Sequence, residues 1–189
     1  DCWVEDSRLT LLNVIDAQQR GATIYSRTKV TSAIQEKGVW KIQLKSEKGK
    51  NSFCSSNILI NAGGPWVVDI IQNLAHLESH EKVRLIKGSH IVTKKLFEHE
   101  KCYIFQGEDG RVLFAIPYEE DYTLIGTTEV EHSNIYTYPE CSNAEIDYII
   151  AFVNSYLANK ISKSDVIWTY SGVRPLYDDG AGSAAAAAA

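Results

Sequence analysis

The sequence predicts a mixed chain: an α/β portion containing an antiparallel β meander, then a second, β-rich α+β portion. Three observations carry this. A helix with a wide apolar stripe runs directly into a short strand, the repeat step of an α/β sheet. Three strand patterns with tight glycine turns follow it by residue 55. Beyond residue 82, four more strand patterns surround an Asp-Gly turn and lead into an amphipathic helix.

Asp6 or Ser7 caps a helix to about Arg20, and Gly21 stops it. Leu9, Leu11, Leu12, Val14, Ile15 and Ala17 form its stripe, which predicts a well-buried helix. Residues 23–26 read as the short strand. The meander is expected over 29–35, 39–45 and about 52–55, turned at Gly38 and Gly49. Trp40, Ile42 and Leu44 alternate onto one face. Ile58-Leu-Ile60 is a continuous apolar run, which suits a strand covered on both faces. A helix is predicted from Trp66 to Leu74. Strands are then expected over 83–93, 102–106, 112–118 and 122–128, with Asp109-Gly110 as the hairpin turn. Ser142-Asn-Ala-Glu145 is a capping box. Ile146, Ile149, Ile150, Val153 and Leu157 follow at helical spacing, so that helix should lie across the second sheet. Residues 166–173 return as a strand leading to Arg174. No internal repeat occurs.

Composition narrows the function classes. The chain has 189 residues, 44% hydrophobic and 23% charged, with a formal net charge of −5. Scattered Lys and Arg on an acidic chain give nucleic acid no footprint. No apolar run approaches the ~20 residues that span a bilayer. The first residues lack the basic start and apolar core of a signal peptide. Cys2, Cys54, Cys102 and Cys141 are widely spaced, and no Cys-x-x-Cys pair occurs. Free buried thiols in a reducing compartment are expected. His76 and His80 are four apart in a polar helix end and read as a solvated face, so no metal site is predicted. The absence of Met and the six closing alanines mark the chain as a piece of a longer protein with an artificial or unassigned tail.

Several stretches carry chemistry. Asn61-Ala-Gly-Gly-Pro-Trp66 follows an apolar run, where ligands of open α/β sheets sit. Its glycines either let backbone approach a phosphate or ring closely, or simply make a tight turn with Pro65 at the first helical position. In Lys87-Gly-Ser-His90, His90 is either a general acid/base or a satisfied structural histidine. Gly126-Thr-Thr-Glu129 ends a strand in hydroxyls that face a pocket or serve a turn. In Ser171-Gly-Val-Arg-Pro175, Arg174 holds an anionic group with its planar fork, or pairs with Asp178 or Asp179. No Gly-x-Gly-x-x-Gly, phosphate-binding lysine loop or Gly-x-Ser-x-Gly is present.

These segments, in this order, resemble the FAD-dependent, quinone-linked aerobic glycerol-3-phosphate dehydrogenases. The matching stretches are Asp1-Cys-Trp-Val-Glu-Asp6, Arg20-Gly-Ala-Thr23, Asn61-Ala-Gly-Gly-Pro-Trp66, Lys87-Gly-Ser-His90, Phe114-Ala-Ile-Pro-Tyr118, Ile125-Gly-Thr-Thr128 and Ser171-Gly-Val-Arg-Pro-Leu-Tyr-Asp-Asp-Gly180. The second glycine of Gly63-Gly64 departs from the family's usual single glycine. The resemblance implies a middle fragment: part of a FAD-binding Rossmann-like domain with its meander, and a β-rich substrate cap. Residues 1–5 would be a cap strand, 6–78 the FAD-binding part, 79–175 the cap, and 176–189 a return segment with the tail.

The implied activity is oxidation of sn-glycerol 3-phosphate to dihydroxyacetone phosphate, by hydride transfer to FAD and onward to a membrane quinone. The implied setting is cytoplasmic, peripheral on the inner face of the cytoplasmic membrane. A homodimer is compatible with it. His90 and Arg174 are the implied catalytic residues, with Thr127 and Arg174 binding substrate. Val30, Ala62, Gly63, Gly64 and Trp66 would contact FAD. The fragment alone would be inactive and bind FAD poorly, since its main pyrophosphate loop would lie before Asp1. Two other readings stay open: a noncatalytic binding or interaction domain on the same scaffold, and a glycerol-3-phosphate oxidase using oxygen.

Overall fold

The structure, a computed structural model, describes residues 4–80 and 82–178. These residues form two compact units. One holds the chain up to Ile60 together with Asn73–His76; the other holds Asn61–Gln72 and the chain from Leu77 onward. The fold class is the expected mixture of helices with antiparallel sheets.

In the first unit, helix α1 (Asp6–Gln19) ends as foreseen at Gly21. The Gly21 amide donates to Gln18 O and the Ala22 amide to Ala17 O, each at 3.0 Å, with Gly21 at φ 99°. This is the left-handed stop that glycine allows. Three strands follow: β1 (Thr28–Glu36), β2 (Val39–Ser46) and β3 (Asn51–Ser56), antiparallel in the order β1-β2-β3. Lys37 and Gly38 both have positive φ, as a two-residue hairpin between right-twisted strands requires. Ala33, Ile42 and Leu44 make a small core that Trp40 and Leu59 cover.

Four expectations fail here. The α1 stripe is not buried: Leu9, Leu11, Leu12, Val14 and Ile15 are all exposed. The meander core is closed by Trp40 and Leu59 rather than by this helix. Residues 23–26 do not form a strand, because the Schellman-type end of α1 releases them into coil with Ile24 and Tyr25 exposed. Ile58–Ile60 is also coil, with Ile58 and Ile60 exposed. The Ser56 hydroxyl donates to Ile58 O at 2.7 Å and accepts from the Ile58 amide at 3.3 Å. A side chain that takes both backbone groups competes with any strand ladder. Cys54 is exposed on β3, whose residues face outward along most of its length. Cys102 is exposed and Cys141 half-buried, so the buried-thiol reading is corrected for these three. Cys2 and the rest of Asp1–Trp3 lie outside the described residues; Val4 and Glu5 are not in a strand.

In the second unit, Gly64–Trp66 is a 3-10 turn, continued by helix α2 (Val67–Asp69) and a π-turn, Ile70–Leu74, whose end passes into the first unit. The helix expected from Trp66 to Leu74 is therefore present in mixed turns. Its sheet is built on β4 (Val83–Lys94), with β5 (Tyr103–Gln106), β6 (Val112–Tyr118), β7 (Tyr122–Gly126), β8 (Val130–Glu131) and β9 (Val166–Tyr177). The order is β5-β6-β7-β4-β8, with β9 also paired to β4. The Asp109-Gly110 turn joins β5 to β6 as predicted, with Gly110 at φ 78°.

Helix α3 (Asn143–Asn154) carries the full capping box of Ser142 and Glu145. Its Ile149 and Val153 are fully buried against Ile91 of β4, Phe105, Leu113, Ala115 and Ile125. Burying each such aliphatic side chain contributes about 1.5–3 kcal/mol. Because strand side chains alternate between faces, placing Ile91 under α3 sends Gly88 and His90 to the opposite face.

Candidate active site

The face of β4 turned away from α3 gathers three of the predicted site residues, His90, Thr127 and Arg174. In the β4–β9 pairing, Ile86 faces Arg174, Gly88 faces Gly172 and His90 faces Tyr170. The two glycines lie side by side between the His90–Tyr170 pair and Arg174, as a floor to which neither adds a side chain of its own. His90 stacks on Tyr170 at 4.9 Å between ring centroids, with planes 8° apart. On its other flank His90 faces Gly126 of β7. A Cβ on Gly126 would sit 2.2 Å from His90 Cδ2, so only glycine leaves room for this imidazole. The next peptide, Gly126–Thr127, is cis.

Gly88 is equally constrained. A Cβ there would lie 2.4 Å from Thr127 Oγ1 and 3.3 Å from both Arg174 Nη2 and Thr128 O. Thr127 and Arg174 therefore converge over one backbone position. Gly172 differs: a Cβ there meets nothing within 4 Å, so the floor opens to solvent on that side. Arg174 is half-exposed, and its Nη2 stands 3.6 Å from Glu129 Oε1. Among the described residues its carboxylate partner is Glu129, a position that sequence reasoning had not paired with it; Asp179 lies outside the described residues. Glu129 is partly buried and Arg174 half-exposed, and at 3.6 Å the contact is longer than a direct hydrogen bond.

Behind the floor, on the α3 side, lies a buried polar network. Glu145 Oε1 accepts from the Ser89 hydroxyl at 2.7 Å and the Thr128 hydroxyl at 2.8 Å. Its Oε2 accepts from Lys87 Nζ at 2.8 Å, and from the Ser142 amide and hydroxyl at 2.9 and 2.7 Å. Burial alone would raise the Glu145 pKa; Lys87, Ser142 and Ser89 overcome it and hold the carboxyl at about 2. Of the Lys-Gly-Ser-His stretch, alternate residues thus serve alternate faces: Lys87 and Ser89 the network, Gly88 and His90 the floor.

The Asn61–Trp66 turn belongs to the same unit, and its Gly64–Trp66 segment packs against β9, the strand of Arg174. Asn61 pins it, donating from Nδ2 to Val67 O at 2.9 Å and accepting from the Gly63 amide at 3.1 Å. A Cβ on Gly63 would lie 2.2 Å from Ile70 Cδ1, so this glycine serves close packing. Gly64 has φ 54°, and a Cβ there would meet nothing within 4 Å. The doubled glycine therefore divides two roles, one facing the helix and one leaving backbone open. Ala62 and Trp66 are exposed beside it. Val30 lies in the first unit, at an irregularity of β1 between Val30 and Ser32. The structure thus brings together His90, Thr127 and Arg174, with Ala62, Gly63, Gly64 and Trp66 on a turn against the same strand.

Sequence reasoning missed Gly126, Tyr170, Gly172 and the second role of Glu145. The glycines did carry a signal, since glycine inside a strand pattern marks a close approach of backbone. Among the described residues no cluster suits a metal ion.

Residues 1–186 match the family model described as FAD dependent oxidoreductase. The chain belongs to this family of FAD-dependent oxidoreductases. It is 43% identical over 187 residues to a D-erythritol 1-phosphate dehydrogenase of Brucella abortus, covering 98% of this chain and 37% of that protein. It is 39% identical over 180 residues to the aerobic glycerol-3-phosphate dehydrogenase of Escherichia coli, covering 95% and 36%. The glycerol-3-phosphate dehydrogenase of Bacillus halodurans, solved with FAD, superposes with a TM-score of 0.81 at 30% identity, covering 93% of this chain and 36% of that one. The chain thus spans little more than a third of these relatives' lengths.

The residues present fit FAD. The open left-handed backbone at Gly64 lets a flat ring or a pyrophosphate approach closely. At Gly172, between Tyr170 and Arg174 on β9, the floor is open.

Proposed function

We propose that the whole protein oxidises the secondary alcohol of a polyol phosphate, with sn-glycerol 3-phosphate giving dihydroxyacetone phosphate. The observation that carries this is the convergence of His90, Thr127 and Arg174 on the Gly88–Gly172 floor. The Asn61–Trp66 turn would hold the flavin, which when bound would supply the hydride acceptor. Arg174 holds the substrate's anionic or polarised oxygen with its fork. His90 takes the hydroxyl proton as the carbon–hydrogen bond breaks, and its stack on Tyr170 with Gly126 behind fixes the ring plane. Thr127 donates a hydrogen bond to substrate from over Gly88. Ala62, Gly63, Gly64 and Trp66 would contact the cofactor, and Val30 its adenine end.

The wider assignment rests on the motif resemblance. Residues 6–78 then belong to the cofactor domain and 79–175 to the substrate cap. A membrane quinone is the onward acceptor, at the inner face of the cytoplasmic membrane. Among the described residues no helix is long and apolar enough to cross a bilayer, which is compatible with peripheral attachment. A second reading has its own support: the relative at 43% identity is named for D-erythritol 1-phosphate, a four-carbon polyol phosphate.

The test is a steady-state assay of the full-length protein with each phosphate, using oxygen or a quinone analogue as acceptor. Turnover of glycerol 3-phosphate with the quinone analogue supports the main reading. Preference for D-erythritol 1-phosphate supports the second, and turnover with oxygen an oxidase. A colourless full-length protein would sink all three in favour of a binding domain.

A further inference from the structure

We propose that Glu145 is a positioning residue for this site, setting the His90 imidazole and the Thr127 hydroxyl from behind the sheet. The inference rests on the active-site reading above. A capping box needs only the Ser142 amide donating to Glu145 Oε2 and the Glu145 amide donating to Ser142 Oγ. Oε1 does something else: it joins the Ser89 and Thr128 hydroxyls. Those two residues are also tied directly, the Ser89 amide donating to Thr128 Oγ1 at 2.9 Å and the Thr128 amide to Ser89 O at 3.2 Å. The Ser89 hydroxyl further meets Ser171 Oγ at 2.7 Å. The carboxylate thus ties Ser89 to Thr128 directly, and Ser171 joins through the Ser89 hydroxyl.

Each tied residue neighbours members of the floor. Ser89 lies between Gly88 and His90, Thr128 follows Thr127, and Ser171 lies between Tyr170 and Gly172. Alternation along a strand means that any shift of Ser89 displaces both of its neighbours on the other face. Helix stability does not require this arrangement, because replacing a buried ion pair such as Lys87–Glu145 with packed apolar groups is often neutral or stabilising. A network that holds Ser89, Thr128 and Ser171 at fixed distances instead specifies geometry.

The test uses the full-length, FAD-loaded protein carrying Glu145→Gln, whose amide presents donors where Lys87 and Ser142 also donate. Anaerobic flavin reduction at saturating glycerol 3-phosphate should slow about 10- to 100-fold, with a smaller change in the half-saturating concentration. In parallel, amide hydrogen exchange should speed up in peptides covering Gly88–His90 and Thr127–Thr128, while Ile149–Val153 stays protected. Thr128→Val covers the case in which Glu145→Gln does not fold, and Thr128→Ser should restore the rate. Wild-type reduction and unchanged exchange in the folded variants would overturn the role. If wild-type flavin is reduced by neither polyol phosphate, the activity reading fails, and the exchange measurement alone decides whether Glu145 positions these segments.

Discussion

Gly88 and Gly172 stand opposite each other on β4 and β9, yet only one of them has room for a methyl group. At Gly172 a Cβ meets nothing within 4 Å; at Gly88 it collides with Thr127. Gly172→Ala should therefore leave thermal stability unchanged or raise it by up to about 1 kcal/mol, since strand glycine is entropically costly. It should still weaken substrate binding, because the methyl group stands on the floor. Gly88→Ala should destabilise by about 1–3 kcal/mol through overpacking. Paired melting curves and substrate-analogue titrations check both; equal binding in wild type and Gly172→Ala would remove substrate from this floor.

Gly126→Ala addresses His90 without changing it. The added methyl would overlap the imidazole at 2.2 Å, so the ring must leave its stack on Tyr170. Turnover should fall while substrate affinity, assigned to Arg174 in the proposed function, is largely kept. Steady-state kinetics read this directly: a loss confined to the Michaelis constant would show that the imidazole's place does not matter to the reaction.

Acid stability should depend on Glu145. Its folded pKa, about 2, lies below the ordinary value of 4.5. The stabilisation is therefore fully present above pH 4.5 and is lost as pH falls toward 2. The depression corresponds to about 3 kcal/mol. Urea unfolding across that range should show wild-type stability falling more steeply than that of Glu145→Gln. Parallel curves would mean that the carboxylate is not held ionised by Lys87, Ser142 and Ser89.

The features legible in the sequence were those decided locally. The meander announced itself through Trp40, Ile42 and Leu44 and through glycine turns, and Asp109-Gly110 and Ser142–Glu145 carried their own turn and cap chemistry. Residues 23–26 and 58–60 failed because an apolar run becomes a strand only when a ladder partner lies beside it. At Ile58 the Ser56 hydroxyl supplied that partner instead. The α1 stripe failed for a related reason: periodicity identifies a helix but not what covers it. His90, Thr127 and Arg174 were legible by residue type. Their meeting place was not, because it depends on the β4–β9 register between residues some 84 apart, as in Gly88 and Gly172. The Arg174–Glu129 pair was hidden by the same long-range pairing.

In the proposed function Arg174 holds a polyol phosphate for oxidation. Anaerobic mixing of the full-length, FAD-loaded protein with glycerol 3-phosphate tests it, comparing wild type with Arg174→Lys. Oxidised-flavin absorbance should bleach rapidly in the wild type. In Arg174→Lys the apparent second-order rate should fall about 10- to 100-fold, since a lysine cannot replace charged bonds of about 1.5–3 kcal/mol made by a planar fork. Equal bleaching in both proteins would contradict the role given to Arg174, and no bleaching in the wild type by glycerol 3-phosphate or D-erythritol 1-phosphate would contradict the account as a whole.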